Sequence, residues 1–244
     1  KRFATMKWDT RKLDDLWVIN SVSDKRPKLE SYKYQMPGEP GPKGYLYIFT
    51  MNDGRTGASA RQVKSQAFKD QEVSLQSARR TAKDNYLDYW KNEWLGDNTG
   101  FYMVRQSRDL KRLDLCRVDV DSDSTKTIIS ERERTYVEYR APFLIGGGKQ
   151  ILHWSERNGW ANIYLYNSDG TLVRNLTEGA FHVEDILGVN EKEGYILLSA
   201  CGVNKDENPY QMHTFRVPLT GGALQQLDMN DMDVLSTASD DDKF

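Results

Sequence analysis

The chain is poor in the residues and motifs that usually mark a chemical site. Only two cysteines, Cys116 and Cys201, occur in 244 residues, too few for a disulfide framework, and no Cys-x-x-Cys pair is present. Each lies in an alternating apolar run, which predicts a buried thiol. No apolar run approaches the ~18 residues that cross a membrane, and residues 1–10 contain no signal peptide. We therefore expect no membrane span in this chain.

A dominant charge of one sign is also missing. Lys and Arg number 34 against 36 Asp and Glu, giving a net charge of −2. No overall basic field suggests a nucleic-acid partner. The short basic clusters at Arg79-Arg80 and 108–112 have acidic neighbours, which predicts a solvated surface instead of a phosphate track. The expected partners therefore exclude nucleic acid.

Motifs for nucleophilic, phosphate and cofactor chemistry are absent as well. The sequence has no Gly-x-Ser-x-Gly elbow, no P-loop and no Gly-x-Gly-x-x-Gly. The three histidines, His153, His182 and His213, fall in or near strands of different repeats without a Ser/His/Asp pattern, so we interpret them as strand residues and not as bases. The sequence predicts no catalytic residue and no cofactor.

One acidic stretch resembles a calcium loop but fails the pattern. The segment 119–124, Asp-Val-Asp-Ser-Asp-Ser, begins like an EF-hand, yet loop position six is Ser124 and position twelve is Ser130, where Gly and Glu are required. Asp and Ser also satisfy the backbone of hairpin turns. We predict a hairpin turn here and no metal site.

The sequence does contain a repeat. Three alternating strands begin at Leu113, Asn162 and Met212, about fifty residues apart, and each runs into a polar turn before a further strand. The turns are Asp121–Ser124, Asn167–Gly170 and Thr220–Gly222. Another strand precedes each hairpin, beginning at 101, 150 and 195, and segments such as 135–144 and 182–189 supply a fourth. Recurrence of four antiparallel strands every ~40–50 residues is typical of a β-propeller.

The predicted fold is therefore all-β, a partial propeller of about four to five four-stranded antiparallel blades in a single domain spanning residues 1–244. An antiparallel sandwich is the competing architecture. The approximate blade units are 1–30, 45–95, 96–144, 145–190 and 191–235. The blade pattern at both ends of the sequence suggests further blades outside it.

The early part of the chain repeats less clearly. We expect Arg2–Asp9 and 15–20 to form a strand pair, and 45–57 to form a hairpin that turns at 52–54. The Pro- and Gly-rich stretch 31–44 cannot be a central strand and is interpreted as a loop. Residues 71–90 fit one amphipathic helix or two strands, and the blade phase favours strands.

Several stretches resemble the propeller of dipeptidyl peptidase IV-like serine peptidases, especially bacterial members of the prolyl oligopeptidase superfamily. They are DDLWVIN (14–20), RPKLESYKYQMPGE (26–39), SRDLKRLDL (107–115), HWSERNGWANIYLYNSDG (153–170), LTEG (176–179) and FRVPLTGG (215–222). The resemblance covers nearly the whole chain and is weakest over 57–94. Trp160 recurs in the family, as does the Glu156/Arg157 pair. We interpret Trp160 as packed between blades and the charged pair as closing the turn.

The resemblance implies a two-domain exopeptidase with an eight-bladed propeller and an α/β-hydrolase domain that carries a Ser/Asp/His triad. In such enzymes the propeller gates and orients peptides with a free N-terminus. Its amine-binding Glu pair has no counterpart here, because the sequence contains no Glu-Glu dipeptide. The triad is also expected outside this chain, which by itself should then lack peptidase activity. A self-contained, non-enzymatic binding propeller is the alternative.

Only one dipeptide of the family's substrate-binding pattern has a counterpart in this sequence. Tyr139-Arg140 resembles a Phe-Arg step that edges the substrate pocket, with Tyr in place of Phe, and is the predicted substrate-binding pair. An aromatic blade residue beside a surface arginine is the alternative interpretation. The resemblance also implies a periplasmic, cell-surface or secreted location. An open arc of blades would expose strand edges, so dimerisation or marginal solubility is expected.

Overall fold

The computed structural model describes residues 1–22, 24–51, 57–68, 71–76, 94–95 and 97–239. The fold is all-β, and the described residues form seventeen strands and one 3-10 turn. Sheet I consists of β1 (Arg2–Asp9), β4 (Lys43–Met51) and β5 (Ala58–Gln62). Among the described strands, β2 (Asp15–Asn20) and β3 (Lys28–Lys33) pair only with each other, and we call them the ribbon.

Three four-stranded antiparallel sheets follow in chain order. Sheet II contains β6 (Glu72–Leu75), β7 (Gly100–Gln106), β8 (Arg112–Asp119) and β9 (Thr125–Arg132). Sheet III contains β10 (Phe143–Ile145), β11 (Gln150–Ser155), β12 (Asn162–Asn167) and β13 (Leu172–Asn175). Sheet IV contains β14 (His182–Asn190), β15 (Tyr195–Cys201), β16 (Met212–Pro218) and β17 (Gln225–Gln226). Each pairs its strands in sequence order, as propeller blades do, so the chain forms part of a β-propeller.

The predicted fifty-residue repeat is confirmed in the three complete sheets. Their third strands begin at 112, 162 and 212, and their second strands at 100, 150 and 195. The turn 167–170 shows why glycine is needed there. Gly170 has φ +95°, and a Cβ at this position would lie 2.5 Å from the backbone oxygen of Ile128 in the neighbouring sheet. The glycine therefore supplies both the turn conformation and the close approach of sheets II and III.

The hydrophobic core lies between neighbouring sheets. Alternate residues of one strand face opposite neighbours, because successive side chains of a strand point to opposite faces. In β7, Phe101 and Met103 pack toward Leu46 and Ile48 of sheet I, while Tyr102 and Val104 belong to the cluster shared with sheet III. A third cluster joins sheets III and IV, with Trp154, Ile163, Val183, Ile196 and Phe215 among its members. Burial on both faces explains why the central strands read as nearly continuous apolar runs.

Sheet I and the ribbon differ from the predicted pairing of 2–9 with 15–20. Both segments are strands, but β1 pairs with β4 over the full register from Arg2↔Thr50 to Asp9↔Lys43, and β2 pairs with β3. The segment 10–42 is thus an insertion between two paired strands. Local alternation marks a strand but carries no information about a partner forty residues away, so the sequence pattern could not reveal this pairing.

The boundaries between the sheets also differ from the boundaries of the predicted blade units. The strands β4 and β5 belong with β1, and β6, which was placed in unit 45–95, pairs with β7. Of the predicted strand 135–144, only Phe143–Ile145 is a strand. The preference for strands over 71–90 holds at Glu72–Leu75, while residues 77–93 and the predicted turn 52–54 lie outside the described residues.

The connections between second and third strands leave the same end of each sheet, because the strand order is the same. They are residues 107–111, 156–161 and 202–211, together with the insertion 10–42 of sheet I. We call this end the loop face. Arg108 in the first of these turns donates to the carbonyl oxygens of Met36 and Glu39 in the insertion, which joins two of the connections directly.

Candidate functional site

Tyr139 and Arg140, the predicted substrate-binding pair, lie on the loop face. They belong to segment 133–142, which connects β9 of sheet II to β10 of sheet III. Hydrogen bonds from Glu133 N to Lys111 O (3.0 Å) and from Val137 N to Leu110 O (2.8 Å) fix this segment against the turn of sheet II. The segment has no ladder of its own, so its position depends on these contacts to the neighbouring turn.

Arg140 extends from this segment to sheet IV. Its Nε donates to Glu138 Oε1 at 3.0 Å, and its Nη2 lies 3.2 Å from Glu184 Oε1 in β14. A further guanidinium nitrogen donates to the backbone oxygen of Glu184. The guanidinium carbon stands 4.7 Å from the Trp154 ring centroid in β11. Arg140 therefore links segment 133–142 to sheets III and IV through one cation.

The charged forms of Arg140 and Glu184 are stabilised by their neighbours. Burial would raise the pKa of Glu184, but hydrogen bonds and charges from His182 and Arg140 outweigh it and lower that pKa. Burial likewise opposes the charged form of Arg140, yet the two glutamates raise its pKa. The His182 Nε2 lies 3.0 Å from Glu184 Oε2, and Trp154 Nε1 donates to Val183 O at 2.7 Å. The cation is thus held by several contacts and is only partly exposed.

The side chain of Tyr139 contacts other residues than the side chain of Arg140 does. Its hydroxyl lies in hydrogen-bonding contact with Gln76 Oε1, and Gln76 N donates to Tyr102 O at 3.0 Å in sheet II. The Tyr139 ring packs on the core cluster between sheets II and III. The structure therefore places the two residues together on the loop face but gives them contacts with different sheets.

The crevice beside Arg140 has a definite chemical character. It is lined by Tyr136 and Trp154, by Arg157 and by four glutamates, Glu131, Glu133, Glu138 and Glu156. Acidic residues outnumber cations in this lining, so its net charge is negative. The Arg140 guanidinium could still donate to a neutral carbonyl oxygen. Sequence reasoning missed Glu184, because a residue 44 positions away carries no local signal.

The boundary next to the crevice contains a buried charge cluster. Glu131 at the end of β9 accepts from Arg157, and its Oε1 lies 2.9 Å from His153 Nε2. Burial raises the pKa of Glu131, but His153, Arg157 and Ser155 outweigh it and lower that pKa. Arg157 also bonds Ser155 and Tyr166 and stands 4.6 Å from the Tyr164 ring. Its role therefore extends beyond closing its own turn: it joins sheet III to sheet II.

Trp160 corrects another expectation. Its side chain was predicted to pack between blades, but it is 47% exposed on the turn 156–161. The tryptophan buried between sheets is Trp154. Trp154 lies in strand β11 and Trp160 in the connection that follows it, and only the folded structure decides which of them faces the core.

Cysteines and acidic turns supply no further chemistry among the described residues. Cys116 is buried as predicted, whereas Cys201 is only half-buried, and burial raises the pKa of both thiols. Asp119 Oδ1 accepts from Asp121 N and Ser122 N, which confirms the predicted turn. Across the described ranges no group of three or more His, Cys, Asp or Glu side chains is arranged to hold a metal. Within the same ranges, no helix has the length and apolar character for a membrane crossing.

Comparisons with known proteins agree with this architecture. A solved structure from Bacteroides ovatus ATCC 8483, of a protein provisionally assigned as a dipeptidyl aminopeptidase IV, is similar with a TM-score of 0.75 at 16% identity, covering 99% of this chain and 34% of that one. Porphyromonas gingivalis dipeptidyl peptidase 4 is similar with a TM-score of 0.72 at 19% identity, covering 94% and 29%.

The chain thus spans about a third of the length of these two proteins. At these identities the structural likeness establishes the fold. The family follows from sequence: the profile of the dipeptidyl peptidase IV (DPP IV) N-terminal region matches residues 1–244, the full length of the chain. The chain therefore belongs to the family of dipeptidyl peptidase IV N-terminal regions.

Proposed function

We propose that this chain is the non-catalytic propeller portion of a dipeptidyl peptidase IV-like serine exopeptidase. In this proposal it gates and orients peptide N-termini for a Ser/Asp/His hydrolase domain that lies outside these 244 residues. The observation that carries the proposal is the family match over residues 1–244, together with the share of about one third of two longer relatives whose names denote dipeptidyl peptidases.

Activity measurements test whether the catalytic residues lie outside this chain. The polypeptide 1–244 alone is expected to release no chromophore from an Xaa-Pro substrate, whereas the full-length protein releases it and is inactivated by a serine-directed phosphonate. Release by the isolated chain would contradict the proposal. An inactive full-length protein would favour the alternative of a non-enzymatic binding propeller.

We further propose that Arg140 contacts the peptide substrate, with Tyr139 supporting the segment that carries it. The guanidinium lies on the loop face, partly exposed, and is oriented by Glu138 and Glu184. A carbonyl oxygen of the peptide could accept its hydrogen bond, while the surrounding carboxylates favour the ammonium group of a free N-terminus. Such a contact would raise the effective concentration of a correctly placed N-terminus at the nucleophile.

Substitution of Arg140 tests this role in the full-length enzyme. Loss of one charged hydrogen bond predicts that Arg140→Ala raises KM about tenfold or more, with kcat changed less than about threefold. Arg134→Ala, an exposed substitution in the same segment, is the control and should leave both constants unchanged. Equal kinetics for wild type and Arg140→Ala, with equal thermal stability, would remove Arg140 from the substrate site.

We propose a homodimer in which the ribbon of one copy contacts a second copy. The ribbon pairs with no other strand of the described chain, and Trp17, Ile19 and Leu29 are 61%, 71% and 65% exposed. An isolated two-stranded ribbon with exposed apolar side chains gains stability when a partner covers it. Its two acidic and two basic side chains cancel, so two copies do not repel each other; these are Asp15, Glu30, Lys28 and Lys33.

Light scattering on the full-length protein tests the dimer. Ile19→Lys is expected to produce monomers, while Trp160→Glu, which alters a similarly exposed aromatic on the loop face, should leave the dimer intact. A monomeric wild-type protein would contradict this proposal without affecting the peptidase assignment. We also propose a periplasmic or cell-surface location, supported by resemblance alone, and fractionation of cells that express the full-length protein tests it.

A further inference from the structure

Connection 107–111, between β7 and β8, contains a leucine in a conformation that leucine rarely adopts. Leu110 has φ +58°, which lies in the left-handed region of the backbone. Asparagine and aspartate tolerate this region better than leucine does, because their short polar side chains bond locally. In the described part of the chain, the other non-glycine residues with positive φ are Asn98, Asp123 and Asp231. Leu110 is therefore the exception to be explained.

The equivalent turn of sheet III uses glycine at this position. Leu110 N donates to Ser107 O at 2.9 Å, and Gly159 N donates in the same way to Glu156 O at 2.7 Å. Gly159 has φ +88°. The Leu110 side chain is 37% exposed and does not belong to the three core clusters, so packing offsets little of the backbone cost. The reason for the conformation has to be sought in the backbone contacts of Leu110.

The carbonyl group of Leu110 holds segment 133–142. Its oxygen accepts from Val137 N at 2.8 Å, and the carbonyl oxygen of Val137 accepts from Gln106 Nε2 at 3.1 Å. The Val137 side chain is 5% exposed and belongs to the core cluster between sheets II and III. Val137 is thus a point of attachment between the segment and sheet II, and it lies three residues before Arg140.

Other contacts hold the connection from its opposite side. Arg108 donates to two backbone carbonyl oxygens of the insertion 10–42. Within the turn, Ser107 Oγ donates to Asp109 Oδ1 at 2.6 Å. A residue persists in a sparsely populated backbone conformation only where its surroundings determine that conformation from several directions, and such residues concentrate at functional sites. The contacts around Leu110 meet this condition.

We propose that Leu110 is a positioning residue: its left-handed backbone directs its carbonyl oxygen to Val137 N and thereby sets the position of Arg140. Because its effect on substrate depends on Arg140, this role rests on the proposed function. The backbone of Leu110 performs it, and the side chain does not. Glycine adopts a positive φ readily, whereas a β-branched residue such as valine does so poorly. Substitutions at position 110 should therefore be ranked by backbone freedom and not by side-chain size.

Hydrogen exchange in the full-length protein tests the attachment. Leu110→Val should lower the protection of the Val137 amide about tenfold or more, because the strained turn withdraws its acceptor. Leu110→Gly removes more of the side chain but keeps the backbone conformation, so protection should stay within about threefold of wild type. Leu172→Val is the matched control, since Leu172 is 48% exposed and lies in the extended backbone of β13, which suits valine.

Kinetics on an Xaa-Pro substrate tests the consequence for Arg140. Leu110→Val should raise KM about threefold or more with kcat changed less than about twofold, and Leu110→Gly should restore the wild-type constants. In the Arg140→Ala background, Leu110→Val should raise KM no further, because its effect passes through Arg140. A general loss of stability would not produce this split or this non-additivity.

Three outcomes would overturn the proposal: wild-type protection of Val137 in Leu110→Val, equal losses in Leu110→Val and Leu110→Gly, or an unchanged KM in Leu110→Val despite lost protection. If Leu110→Val does not fold, Leu110→Asn decides, because asparagine tolerates positive φ. Retained protection in Leu110→Asn and Leu110→Gly would support the role of the backbone, and loss in both would refute it. An inactive full-length protein would contradict the proposed function, while exchange would still decide whether Leu110 positions the segment.

Discussion

Two buried histidines of this protein, His153 and His213, each connect two parts of the fold through carboxylates, but the partners differ. We call each of these connections a joint. His153 shares the carboxylate of Glu131 with Arg157, and its Nδ1 is buried without a partner, whereas His213 lies between two carboxylates, Glu207 and Asp228. Arginine stays charged at all physiological pH values. The joint between sheets II and III therefore contains a permanent cation, whereas the pairs that His213 makes with Glu207 and Asp228 contain neither arginine nor lysine.

The largest effect is expected at the joint between sheets. Replacing Glu131 with Ala leaves the Arg157 charge partly buried without its carboxylate, and breaking a buried pair in this way costs about 3 kcal/mol of unfolding free energy. Chemical denaturation followed by tryptophan fluorescence measures this loss. Glu156→Ala, in the exposed turn beside it, should change stability by less than about 0.5 kcal/mol. Similar losses for both variants would show that Glu131 does not join the sheets.

Replacing each histidine with glutamine should distinguish the two joints. His213→Gln leaves one of the carboxylates of Glu207 and Asp228 without its donor, so we expect a loss of about 2 kcal/mol of unfolding free energy. In His153→Gln, the new amide can donate to Glu131 while Arg157 still supplies the charge, so the loss should be about 1 kcal/mol. Thermal unfolding of both variants under one condition measures the difference. Equal losses would contradict the comparison.

Acid should weaken both joints in the same direction. The pKa of Glu131 is lowered from 4.5 and that of Asp228 from 3.8, in each case because bonded partners outweigh burial. A group whose pKa is lower in the folded state stabilises the fold above its unfolded pKa, and this stability is lost as pH falls below that value. We expect thermal stability to decline below about pH 4.5, and less steeply in Glu131→Gln. An unchanged decline in that variant would exclude Glu131 as a contributor.

The smallest contrast involves two tryptophans, Trp154 in strand β11 and Trp160 in the connection that follows it. Trp154→Phe removes the donor to Val183 O and should cost about 1–2 kcal/mol, because this buried hydrogen bond is lost. Trp160→Ala changes an exposed side chain and should cost less than about 0.5 kcal/mol. Denaturation of the two variants under one condition measures the difference. A larger loss for Trp160 would restore the expectation that it packs between blades.

The amino-acid sequence by itself determined the all-β class, the fifty-residue repeat and the turn at Gly170. These features depend on period-two alternation and on backbone conformations that particular residues allow, which are properties of short stretches. Resemblance to the family also placed Tyr139 and Arg140 near a candidate site. Nothing in the sequence indicated Glu184, which contacts Arg140 from sheet IV.

Only the tertiary structure decided which charges meet. The pairing of β1 with β4 across a long insertion, the exposure of Trp160 and the position of His213 between Glu207 and Asp228 all depend on contacts between distant or differently folded segments. Alternation tells whether a side chain leaves a strand on one face or the other, but not which group stands opposite. For buried charges that opposite group determines which ionic form is stabilised.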